Sequence, residues 1–144
     1  MGLTSKFSEH TLEERSEILK IAGYQMDREP GYFIVYKMVR PNLYSLYKSD
    51  FQYVIGESVT EPDCNFDQQT KNAKGISAWT IPCALSYSIE SSRSKNNVLL
   101  KLKIHIDDYV LIDSSHKIRC SKALVVEDCT YLIDRETYII VNSL

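Results

Sequence analysis

The amino-acid sequence predicts an α+β fold: a mostly antiparallel sheet of about seven or eight strands, with one helix ahead of it and one in mid-chain. Three observations carry that prediction. The hydrophobic period switches from helical to strand-like at Tyr32, "VLLKLKIHI" (98–106) alternates apolar and polar residues, and strands outnumber helices with no βαβ alternation. The 144 residues suit one domain, with an N-terminal helix within 1–24 and a sheet-rich core over 32–141 that holds the second helix near 81–90.

The first element, "KFSEHTLEERSEILKIAGY", offers two caps: Ser8 with Phe7 stapled to Leu12, or Thr11 with Glu14 as a capping box. Gly23 ends it. Leu12, Ile18, Leu19 and Ala22 form its apolar stripe, and Glu13, Glu14, Arg15, Glu17 and Lys20 its wet face. "YFIVYKMV" (32–39) is so rich in β-branched and aromatic residues that it reads as a strand buried on both faces. Pro41-Asn42 breaks it, after which "LYSLYK" and "FQYVIG" read as short strands, divided at Ser49-Asp50 and ended by Gly56. The polar residues 57–74 read as one long loop.

"GISAW" is a short extended piece, and Thr80, Ile81 and Pro82 open a helix in which Ile81, Leu85 and Ile89 recur at every fourth position. Trp79, the sole tryptophan, is expected to act there as a packing hook with Ile76, Ile81 and Leu85. "SSRSKNN" is a solvated loop. In "VLLKLKIHI", Leu100, Leu102, Ile104 and Ile106 fall on a core face and Lys101, Lys103 and His105 on a wet one. "YVLI" and a continuous "KIRCSKALVV" follow, and "YLI" and "TYIIV" form a terminal hairpin across Asp134-Arg135-Glu136.

Composition narrows the function classes. With 17 basic and 19 acidic residues the net charge is −2, so nothing in the whole chain attracts nucleic acid or anionic lipid, and neither is an expected partner. The longest mainly apolar run, "YVLI", is far short of the ~20 residues that span a bilayer. The first residues lack the apolar centre of a secretory leader, so a cytoplasmic location is expected. Cys64, Cys83, Cys120 and Cys129 form no C-x-x-C pair and are expected to be free thiols, with no metal site. No phosphate loop, dinucleotide fingerprint or H-E-x-x-H motif is present, so no cofactor is expected.

Catalytic candidates reduce to plain roles. His10 falls in a helix turn, His105 on the wet face of a strand and His116 in a Ser-Ser-His-Lys turn. The pairs Asp107-Asp108 and Glu127-Asp128 suit strand ends, and Glu13-Glu14 a helix start. No catalytic residue is therefore assigned.

Two groups are candidates for binding. Seven aromatics fall between residues 32 and 53, and Tyr36, Tyr44, Tyr47 and Tyr53 could form a contact surface for a protein partner or a second copy, although core packing suits most of them. Lys101, Lys103 and His105 form a cationic face, which Arg119 and Lys122 would join if "KIRCSK" pairs with that strand. Such a face either meets an anionic partner or protects a solvated sheet edge.

Short motifs then resemble a known family. Phe51, Tyr53 and Gly56, followed by Gly75-Ile76 and by Lys117, Ile118, Arg119 and Ser121, are similar to the motif order of small, mostly uncharacterised domains of phages, prophages, bacteria and large DNA viruses. The likeness spans about residues 32–127. It implies a virus- or phage-encoded accessory or virion protein that acts by protein contact and is not an enzyme. Ser77 and Trp79 stand where relatives carry His and Cys, so metal or thiol chemistry is not implied here. A second likeness, in "YKMVR" and "GISAW…ALSYS", is similar to ADP-ribosyltransferase-like domains. It implies a nucleotide-acting enzyme in which Arg40 holds the dinucleotide and Glu127 acts on the ribose, although that family's Ser-Thr-Ser element is not evident.

Overall fold

The computed structural model describes residues 10–46, 51–70, 73–85, 96–112, 116–134 and 139–140. Helix α1 (Leu12–Ile21) starts at the Thr11–Glu14 capping box: Thr11 Oγ1 accepts from Glu14 N, and Glu14 Oε1 accepts from Thr11 N. It stops where Gly23 N donates to Lys20 O and Tyr24 N to Leu19 O, the two bonds of a Schellman cap. Leu19 is buried, with Ile18 and Ala22 packed against the same core. Leu12 departs from the expected stripe and is 54% exposed.

Strands β1 (Gln25–Met26), β2 (Tyr32–Val39), β3 (Ser58–Thr60), β5 (Val98–His105) and β8 (Lys122–Asp128) make a five-stranded sheet in the order β1-β2-β5-β8-β3. Strands β4 (Ile76–Ala78), β6 (Tyr109–Leu111) and β7 (Ile118–Cys120) make a second sheet, ordered β4-β7-β6. A terminal hairpin pairs β9 (Ile133–Asp134) with β10 (Ile139–Ile140), as the sequence predicts. Every one of these pairings is antiparallel, so the α+β class holds, with the strands divided among three sheets. A second helix occupies 81–85; the rest of the expected 81–90 helix lies outside the described residues.

Both faces of β2 are covered from Phe33 to Val39, which is why this strand has no polar alternation. Phe33, Val35 and Val39 point into a core shared with Leu100, Leu102 and Ile104, the second sheet and α1. Ile34, Tyr36 and Met38 point the other way, into a smaller core with Leu99, Trp79, Leu85 and Leu132. Along β5 the expected alternation is present, with Leu100, Leu102 and Ile104 fully buried.

Three expectations change. "LYSLYK" and "FQYVIG" are not regular strands in their described parts: they make only the isolated bridges Val39↔Ser45 and Tyr44↔Gln52. Leu43 has a left-handed backbone (φ 68°) and its N–H returns to Arg40 O, so the chain cannot stay extended. The 57–74 loop contains β3, whose Val59 turns inward against the main core while Ser58 and Thr60 stay exposed. "KIRCSKALVV" is two strands in different sheets, turning at Ser121, whose N–H donates to Asp108 O and whose carbonyl accepts from Glu61 N.

Candidate functional site

Direct cross-strand partners share a sheet face, and the β2–β5 register pairs Tyr32 with His105, Ile34 with Lys103 and Tyr36 with Lys101. The cationic residues therefore stand on the face that carries the smaller core. Trp79, the 81–85 helix and the turn at Thr130–Leu132 cover its Tyr36 half. Its Tyr32 half stays open as a cleft of about 170 Å³, lined among others by Glu29, Tyr32, Ser58, Lys103, His105 and Lys122.

The open half is tightly organised by charge. Lys103 Nζ lies 2.6 Å from Glu29 Oε1 and 3.4 Å from Asp27 Oδ2, and 5.0 Å from the centre of the Tyr32 ring. The hydrogen bond to Glu29 raises the Lys103 pKa above its usual value, although burial alone would lower it. Burial would raise the Asp27 carboxyl, but hydrogen bonds from Glu29 N–H and the Lys103 ammonium outweigh it and hold the carboxyl below the usual range. Its positive charge is thus compensated locally, which weakens Lys103 as an anion receptor.

The Tyr32 ring also meets His105 edge-on, with ring centres 5.0 Å apart. His105 Nδ1 accepts the Asp107 N–H at 3.1 Å and lies 3.5 Å from Asp107 Oδ2. Gly31, with φ 85°, brings the turn before β2 beneath this ring; a Cβ there would lie 3.1 Å from Nε2. On the other side of that turn, a shallow groove of about 440 Å³ runs between α1 and Ile106, past Leu12, Glu13 and Glu17.

The other expected neighbours separate. Lys122 joins the cleft from β8, while Arg119 lies in β7 with no exposed surface, because the turn at Ser121 sends 118–120 into the second sheet. Among the tyrosines, Tyr36 and Tyr53 are interior side chains, Tyr44 is half-buried, and Tyr47 lies outside the described residues. Burial pushes the Tyr53 phenol well above its usual range. Asp27 and Glu29, in the turn between β1 and β2, and Ser58, on β3, complete the site unforeseen, since only the folded chain brings them to Lys103 of β5 and to β8.

Arg40, Trp79 and Glu127 are not brought together. Trp79, Tyr36, Lys101 and Glu127 form one cross-strand row, so three strand spacings, about 14 Å, separate Trp79 from Glu127. Arg40 lies four residues, about 13 Å, further along the chain from Tyr36, and its guanidinium donates to Leu46 O. Ser77 is half-buried, and its carbonyl accepts the Lys37 ammonium at 2.6 Å.

All four cysteines are free thiols, with Cys120 and Cys129 buried. Among the described residues, no group of three His, Cys, Asp or Glu side chains could hold a metal ion, and no helix is long and apolar enough to cross a membrane. Comparison of the chain with protein-family models, with curated proteins and with solved structures finds no match.

Proposed function

We propose that this chain is a non-enzymatic contact module, an accessory or virion protein encoded by a virus or phage, which holds a protein partner or a second copy against the open half of its main sheet. The observation that carries this function is the Tyr32–Lys103–His105 cluster, fixed on adjacent strands and ringed by Ser58, Lys122 and Glu29. Rigid aromatic area with paired charges at its rim suits recognition of a protein surface. A cleft of about 170 Å³ is small beside the roughly 300–1,000 Å³ of small-molecule sites. The viral setting rests on the motif order at 51–56, 75–76 and 117–121.

The test is partner capture together with sedimentation, using the wild-type chain and a Tyr32→Ala/Lys122→Glu double variant. Association should weaken by about tenfold or more in the variant, with unchanged circular dichroism. A wild-type chain that stays monomeric and retains no partner, or a variant that associates as well as wild type, would falsify the function.

A further inference from the structure

The main sheet ends at β3, and the outer side of that strand is bare. Glu57 O accepts from Val125 N and Glu61 N donates to Ser121 O, so Glu57, Val59 and Glu61 turn their peptide groups toward β8. Along an extended strand the peptide groups alternate in direction, and those of Ser58 and Thr60 therefore point away from the sheet. Both residues are exposed, and neither their N–H nor their C=O groups have a hydrogen-bond partner among the described residues.

Two outward N–H and two outward C=O groups in strand register are what an added strand pairs with. Pro62 has no N–H and ends the edge, so the added pairing is short. A second copy of the chain fits poorly there. Antiparallel self-pairing about Val59 would set Glu57 level with Glu61 of the other copy, and like charges directly opposite repel.

Charge on the open face favours an acidic residue in the added strand. Ser58, Leu124 and Lys103 form one cross-strand row of that face, and Thr60 and Lys122 belong to the next. Lys103 is already compensated by Asp27 and Glu29. Lys122 is exposed and forms no ion pair among the described residues, although Asp108 lines the same cleft. A residue opposite Thr60 on an added strand stands two strand spacings, about 10 Å, from the Lys122 backbone, a gap that a lysine and a glutamate side chain close together across the small Thr60.

We propose that the outer edge of β3 takes an extended segment of a partner protein as a sixth, antiparallel strand, with an acidic residue opposite Thr60 paired to Lys122. The site rests on the contact-module function and names the form in which the partner binds, because the added strand borders the same open face.

The experiment titrates the isotope-labelled full chain with acetyl-Thr-Glu-Val-Thr-Gly-amide while amide resonances are followed. Antiparallel to β3, the peptide sets its Glu opposite Thr60, its Val opposite Val59 and its second Thr opposite Ser58. The amides of residues 58–60 should shift, and those of Ser58 and Thr60 should exchange more slowly. N-methylation of the Glu or of the second Thr removes a donor to the edge and should abolish binding, whereas N-methylation of the Val, whose N–H points to solvent, should change it by no more than about twofold. Replacing the peptide Glu by Gln should weaken binding several-fold to wild type and leave binding to Lys122→Gln unchanged. Thr60→Pro removes one outward N–H, spares the ladder to β8 and should abolish peptide binding. The methylated peptides and the exposed Lys122→Gln keep the test valid should Thr60→Pro disturb the fold. Shifts that miss 58–60, equal binding by all three methylated peptides, or undiminished binding by a folded Thr60→Pro would overturn the edge site. So would a dimer in sedimentation that Thr60→Pro dissolves, since the edge would then serve a second copy. If Thr60→Pro retains the partner that Tyr32→Ala/Lys122→Glu loses, the edge site alone fails and the contact function stands.

Discussion

Arg119 carries a full charge with none of its surface exposed. Burial pulls its guanidinium below its usual pKa, and the protein answers with carbonyls: Nη1 donates to Asn65 O and Asp67 O, and Nη2 to Thr70 O at 2.6 Å. One side chain from β7 thereby fixes the 65–70 loop. Gly75, with φ 149°, completes the arrangement, because a Cβ there would overlap the Arg119 Cγ. Arg119→Met removes three charge-assisted hydrogen bonds and leaves their acceptors half-buried, a loss only partly offset by no longer burying a charge. We expect about 2–4 kcal/mol lower stability in urea denaturation, with faster amide exchange over 65–70. An unfolding midpoint equal to wild type would show that the loop is held by something else. Alternation in "KIRCSK" indicated which residues share a face, but nothing in it told that the face belongs to a second sheet. Arg119 would have joined the cationic surface only had "KIRCSK" paired with β5, and it is found inside.

Trp79 joins the two sheets as an element-level hinge pin. It directly follows β4, yet its N–H and C=O pair with Tyr36 of β2, and its ring lies 5.3 Å from the Lys37 ammonium. The expected hook holds for Trp79 with Ile81 and Leu85, whereas Ile76 packs into the main core; the bridge to Tyr36 also closes part of the β2 edge. Trp79→Ala keeps the backbone bridge but empties the largest side chain from the smaller core. A loss of about 3–5 kcal/mol is expected from thermal melting followed by circular dichroism, with Trp79→Phe losing less. A melt unchanged within about 2 °C would sink the hook. Elements with long regular patterns were legible: β2 from its unbroken β-branched and aromatic run, β5 from strict alternation, α1 from its cap and terminal glycine. Short ones were not. β3 has one inward residue, Val59, between two polar ones, and the 43–56 region is broken by a left-handed leucine that no residue preference announces. The open cleft was legible only in part for the same reason. Lys103 and His105 show in the pattern of β5, but Asp27 and Glu29 come from the turn between β1 and β2 and Ser58 from β3, whose placement the pattern does not specify.

For the molecule as a whole, two cores on either side of the main sheet hold many weak acids away from water. Burial raises the pKa values of Tyr24, Tyr53, Tyr109 and Cys120 beyond the ordinary range, and brings Cys129 from 9.0 to about 12 and Tyr36 from 10.0 to about 12. A raised pKa in the folded state means that folding favours the protonated form. The resulting stabilisation is complete below the unfolded value and lost as pH climbs toward the folded one, because the unfolded chain then releases its protons first. The window opens near 9.0, where an unfolded thiol ionises, and widens at 10.0 as unfolded phenols follow. Each group contributes a slope of up to about 1.4 kcal/mol per pH unit inside its own window. Several act together, so the urea midpoint should hold steady from about pH 7 to pH 8.5 and then fall steeply toward pH 11 under reducing conditions. Cys129→Ala deletes one titrating thiol and should make the early part of that fall shallower. A midpoint constant to about pH 11 would mean that these groups already ionise within the fold, and would contradict the burial on which the two cores depend.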